Sequence, residues 1–191
     1  MAQISDLAHR LAYHEAAHTV IAVALDLEVD EVSIDLQRGT GETRRSGPDP
    51  STVDEGMQLL VAGRLGEEMR FANATGTVSD DAVLADLSGL APSGALAKAV
   101  VEVRGMLQRW DVHVDALAAA LIRHRRLDRD DICYVLDGDV SYIRKLLPNW
   151  EPDCGPSIDG CPGRLNEVRT LRAPPYSAGT RVKGWRNPNT I

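Results

Sequence analysis

Residues 6–25, DLAHRLAYHEAAHTVIAVAL, decide the fold. Leu7, Leu11, Ala17, Val20, Ile21, Ala24 and Leu25 recur there at helical spacing without Gly or Pro, which predicts one buried helix from about Asp6 to Leu27 with Ser5 as its cap. Inside it lies Tyr13-His14-Glu15-Ala16-Ala17-His18. Residues four apart on an α-helix point about 40° apart, so His14 and His18 share a face and can reach one ion, and paired imidazoles suit zinc. Glu15 sits beside that face, where its carboxylate can take a proton from a metal-bound water instead of binding the metal. Two ionisable rings and a carboxylate on so apolar a helix are costly unless a partner such as a metal compensates them.

Outward from this helix, residues 28–37, EVDEVSIDLQ, alternate apolar Val29, Val32, Ile34 and Leu36 with polar neighbours and predict a short strand. The polar, Gly/Pro-rich run GTGETRRSGPDPST at 39–52 is expected to be a mobile loop. Further helices are predicted at about 53–71, entered from Pro50-Ser51-Thr52, and at 80–90, 94–109, 112–125 and 128–136. The expected fold is therefore mostly α with a small β element. Beyond Pro148 the composition shifts to Pro, Gly, Arg and Asn without periodicity, so residues 1–148 are expected to form the domain and 149–191 an extended or partly disordered tail.

The 191 residues suit one domain, and aromatics at 4% imply a core of Ala, Leu and Val. The formal charge is −7; residues 151–191 hold six basic and four acidic residues, which leaves −9 on the first 150. That sign argues against nucleic acid as a partner. The longest uncharged apolar stretch, Thr19 to Leu25, is far short of a membrane span, and MAQISDLAHR lacks the apolar block of a signal peptide, so a cytoplasmic protein with no membrane partner is expected. Cys133, Cys154 and Cys161 are too few for a disulfide scaffold and are read as thiols. Gly89-Leu-Ala-Pro-Ser-Gly94 is followed by Ala95 and Leu96 where a phosphate loop needs Lys and Ser or Thr, which excludes a nucleotide site there. Arg123, His124, Arg125 and Arg126 read as a solvated helix end that complements the dipole.

The third metal ligand is less local. Ile21 and Ala24 stand where the elongated motif needs Gly and His, so a carboxylate must come from elsewhere. Glu31, Asp35, Glu42, Glu67, Glu68, Asp80 and Asp81 are all candidates, and spacing alone does not choose among them.

YHEAAHTVIA at 13–22, VAGRLGEEMRF at 61–71, ATGTVSDDAVLADL at 74–87 and VDALAAALIRHRRLDRDDI at 114–132 together resemble the zinc peptidase domain of FtsH-type AAA+ proteases, in the order of that family, over residues 8–136. The resemblance implies a helical peptidase fold, zinc as cofactor and a peptide or unfolded protein as substrate. It also implies a third ligand at the Asp of the family's Asn-Asp pair. Counting from Arg64 through Glu67, Glu68 and Phe71 places that ligand at Asp81; registering on Thr75-Gly76 places it at Asp80. Asp81 is the choice here. The sequence departs from the family at Ala17, where Gly is usual and a methyl could crowd the neighbouring backbone, and in its short stretch after the strand. These 191 residues also leave no room for the ATPase module. The expectation is an ATP-independent zinc metallopeptidase: His14, His18 and Asp81 as ligands, Glu15 as general base, oligomeric state open. The alternative is a binding or regulatory protein that keeps the fold without proteolysis.

Overall fold

A computed structural model describes residues 2–46, 49–75 and 78–136. Helix α1, Ala2–Ala24, is the predicted buried helix, three residues short at its C-terminal end and begun earlier than expected. Ser5 therefore lies in the first turn and is not the cap. Ala12, Ala16, Ala17, Val20, Ile21 and Ala22 are fully buried. Small residues along this helix let neighbours approach on several sides, and α1 packs against helices and sheet alike.

The sheet has three antiparallel strands in the order β2-β1-β3, with β1 Val29–Asp35, β2 Thr40–Arg45 and β3 Arg126–Asp128. Strand β1 is the predicted one. Its Val29, Val32 and Ile34 are buried. The segment expected to be a mobile loop is instead, over Thr40–Arg45, a paired strand whose residues are all half-buried or exposed. Its composition hides this, because no apolar residue marks a buried face. The hairpin is set by its turn: the Asp35 carboxylate accepts from the Gln37 and Arg38 amides, and Gly39 takes a positive φ of 68°. Strand β3 is not among the elements expected from the sequence. Helix α5, Asp111–His124, ends at Arg125 in the left-handed conformation, and the chain then pairs with β1 from Arg126.

Helix α2, Val53–Glu68, opens with a capping box: Thr52 Oγ1 accepts from the Glu55 amide at 3.1 Å, and the Glu55 carboxylate accepts from the Thr52 amide at 3.2 Å. It stops before the predicted Phe71, the Arg70 and Phe71 amides turning back onto the Glu67 carbonyl. Arg70 then ties this end to α5, its Nη2 donating to Asp111 at 2.5 Å and Asp115 at 2.7 Å. Helix α3 is Val78–Ser88, α4 is Ala95–Arg109 and α6 is Arg129–Leu136, each close to expectation. Helices α2, α3 and α4 share a cluster of Met57, Leu87 and Ala99, flanked by Leu60 and Leu84. This seats α3. No described helix is long and apolar enough to cross a membrane. The expected tail at 149–191, with Cys154 and Cys161, lies outside the described residues; Cys133 is exposed and forms no disulfide among the described residues.

Truncating Met57, fully buried at the centre of that cluster, should cost about 2–5 kcal/mol. Because α3 carries Asp80, urea unfolding of Met57→Ala should show that loss together with weaker metal binding; an unchanged midpoint would contradict the packing described.

Candidate metal centre

Two helices meet closely enough to share the site because one of them lacks side chains at the seam. A Cβ on Gly63 of α2 would collide with both the His14 and His18 rings, and one on Gly66 would overlap the Ala17 methyl and come within 2.8 Å of the Tyr13 carbonyl. The crowding expected from Ala17 is thus absorbed by Gly66 across the interface. On the other side of α1, a Cβ on Gly41 of β2 would strike the Glu15 side chain. The motif is wedged between α2 and β2.

His14 and His18 do share a face. Their Nε2 atoms are 3.0 Å apart, and both point at Asp80 Oδ2 from the first turn of α3, at 3.0 and 3.1 Å. These three side chains form a group that could hold a metal ion. Asp81, selected by counting from Arg64, is exposed and not part of the group. Adjacent residues on a helix point about 100° apart, so a one-residue difference in register moves the carboxylate off the site face. The Thr75-Gly76 register identifies the residue that converges. Of the other carboxylates considered, Glu31 accepts ion pairs from Arg44 and Arg126 on the sheet, Asp35 caps the hairpin turn, and Glu68 pairs with Arg64 and Arg104. Glu42 lies exposed on β2.

Glu67 has a role that spacing did not reveal. Fully buried, it accepts from His14 Nδ1 at 2.9 Å through Oε1 and from the Thr75 amide at 2.9 Å through Oε2, with Arg10 Nη1 at 3.9 Å. A carboxylate can only accept, so Nδ1 of His14 carries the proton and a neutral ring presents a bare lone pair at Nε2. That lone pair faces a carboxylate oxygen and a second imidazole nitrogen. Such an arrangement is repulsive unless a proton or a cation sits among the three atoms. An ion bonded at about 2.0–2.2 Å in tetrahedral geometry holds its donors about 3.3 Å apart, so separations of 3.0 and 3.1 Å fit one with small adjustment. The signal for Glu67 was present in the Glu67-Glu68 pair, but only the fold shows which ring it meets.

Electrostatics follow the same geometry. Burial works against a charged His14, yet its bonds to Asp80 and Glu67 outweigh that and raise it to about 9. Burial also raises Asp80, but the bonds from His14 and His18 prevail and hold it well below the usual carboxylate range. Glu15 moves the other way. It is 5% exposed, and burial raises its pKa against the opposing pull of His18, His14 and the Thr43 hydroxyl, which donates to Oε2 at 2.7 Å. Thr19 Oγ1 donates to the Glu15 carbonyl at 2.8 Å, fixing the turn below it.

Two outcomes test this geometry. Glu67→Gln should fold but weaken metal binding about 10–100-fold, since the orienting carboxylate is gone; affinity unchanged by chelator competition would refute the orienting role. The pH dependence should split by metal content. With no metal, His14 titrates in the folded state at about 9 against 6.5 unfolded, so its stabilisation is complete below 6.5 and lost as pH rises through 9. Metal displaces that proton, so affinity should rise about tenfold per pH unit up to 9. Melting curves of metal-free and metal-loaded protein, diverging as pH increases, would show both effects.

Comparison with protein-family models and with curated proteins finds no match to this chain.

Proposed function

We propose that the chain is a zinc-dependent peptidase-like hydrolase that acts without ATP on peptides or unfolded segments. The observation that carries this reading is the convergence of His14 Nε2, His18 Nε2 and Asp80 Oδ2 on one point, with Glu15 buried beside them. Two nitrogens and one carboxylate oxygen are a donor set suited to zinc, with a corner left for water. Zinc bound there would acidify that water and polarise a carbonyl.

The protein's own groups supply the rest. Glu67 holds the His14 ring in the tautomer that binds through Nε2. Thr43 occupies Oε2 of Glu15, leaving Oε1 to accept the proton of the attacking water. A raised pKa makes Glu15 a stronger base and then a competent acid, able to return the proton to the leaving amine. The sheet supports a peptide substrate over a small molecule. Among the described residues strand β2 pairs on one side only, and its Gly41 and Thr43 lie against Glu15, so its outer edge offers backbone groups to an extended chain beside the base. Its polar composition keeps that edge from pairing indiscriminately.

Glu15→Gln should keep zinc and lose casein hydrolysis by at least about 100-fold, and His14→Ala should lose both. Asp80→Asn should lose zinc while Asp81→Asn retains it, measured by elemental analysis. Full activity in Glu15→Gln, or zinc retained at full occupancy by Asp80→Asn, would overturn the reading. A wild type that holds zinc and cleaves no peptide would favour the binding or regulatory role.

A further inference from the structure

A cation lies on the strand face that meets Glu15. Alternate residues of a strand face opposite sides, and in β2 the side toward α1 is fixed by Gly41, opposite Ile34, and Thr43, opposite Val32. Arg45, opposite the buried Val29, is the next residue on that side, about 7 Å along from Thr43. Arg44 takes the other face, where it lies 3.8 Å from Glu31. Arg10, Arg38, Arg64, Arg70, Arg104 and Arg126 likewise each have a carboxylate within ion-pair range. Among the described residues Arg45 has none, nor do Arg109, Arg123 and Arg125, but those three are exposed and Arg45 is half-buried, in a chain whose first 150 residues carry nine more acidic than basic side chains. In so acidic a body, a half-buried arginine with no carboxylate partner among the described residues, on the strand face that meets the candidate base, is not explained by a shortage of carboxylates.

We propose that Arg45 is a specificity residue that binds a carboxylate of the peptide substrate, about two residues from the bond that is cleaved. This rests on the peptidase reading of the Glu15 site. A strand added to the free edge of β2 alternates its side chains in step with β2, so one of them comes alongside Arg45 on the site face. The planar guanidinium can then grip a carboxylate through two parallel hydrogen bonds. A Glu or Asp side chain supplies that group, and so does the free C-terminus of a short peptide.

The test uses the full zinc-loaded chain carrying Glu15→Gln, so that peptides bind without turnover. Fluorescence anisotropy would compare acetylated peptides in which a single Glu is moved through a neutral sequence, each with a free or an amidated C-terminus. At one position, Glu should bind on the order of tenfold tighter than Gln. Arg45→Gln should abolish that preference, Arg45→Glu should shift it toward Lys, and Arg45→Lys should restore part of it, with zinc content unchanged throughout. A preference lost on amidation assigns the carboxylate to the chain terminus; one that survives amidation assigns it to a side chain. Equal binding of Glu and Gln peptides with either terminus, or a preference that survives Arg45→Gln, would overturn the proposal. Failure of wild type to cleave any of these peptides would instead count against the peptidase reading, and is measured separately.

Discussion

Three electron-pair donors held about 3 Å apart dominate this molecule. Left alone, His14 Nε2, His18 Nε2 and Asp80 Oδ2 repel one another, and the chain brings them together only because the surrounding structure leaves them no alternative. Glu67 pins one ring by its far nitrogen. Gly63 admits the rings into the seam between α1 and α2, and the Met57 cluster seats α3 so that its first turn faces them. Each of these supports works against the local cost of the site, and a proton or a cation relieves that cost. The fold is therefore most readily understood as stabilising a ligand-binding arrangement at the expense of its own electrostatics, as functional sites commonly do.

The same arrangement divides the chemistry between neighbouring residues of one helix. His14 and Glu15 are adjacent, yet one ring faces α2 and the other side chain faces β2, because successive residues turn by about 100°. Their environments push them in different directions. His14 meets two carboxylates and gains basicity from them despite its burial. Glu15 loses water, and its proton affinity rises despite the Thr43 hydroxyl that donates to it. The proposed ligand and the proposed base are thereby distinguished by what each touches, with no separation in sequence to keep them apart.

Much of this was legible in the sequence where periodicity was strong. The six helices among the described residues answer to elements expected from the sequence, and the four-residue interval between His14 and His18 places both rings correctly because helix geometry alone determines it. What failed to show was whatever depended on another segment. Strand β2 has no buried apolar side, so Thr40–Arg45 is held by backbone pairing and by the Asp35 turn, neither of which leaves a hydrophobic pattern. Strand β3 is three residues long and exists because β1 lies beside it. The choice between Asp80 and Asp81 could not be made by counting, since residues 69–75 leave the helical repeat of α2 and one residue of slack reverses the answer. Glu67 was weighed as a ligand, a role that its carboxylate chemistry permits and its position beneath His14 Nδ1 replaces.

The two anchors differ in how they are tied to the site. Counting from Arg64 assumes that the chain advances uniformly from α2 into α3, but α2 ends at Glu68, and the amides of Arg70 and Phe71 fold back onto the Glu67 carbonyl. Thr75 then returns its own amide to the Glu67 carboxylate, so the segment closes on the residue that orients His14. Thr75 is thereby fixed with respect to the site itself, whereas Arg64 is fixed only with respect to the exposed side of α2. An anchor that touches the site transmits register to it; one that lies a turn away on the same helix accumulates every irregularity between. Glu67 consequently does two things at once, setting the tautomer of one candidate ligand and holding Thr75 by its amide.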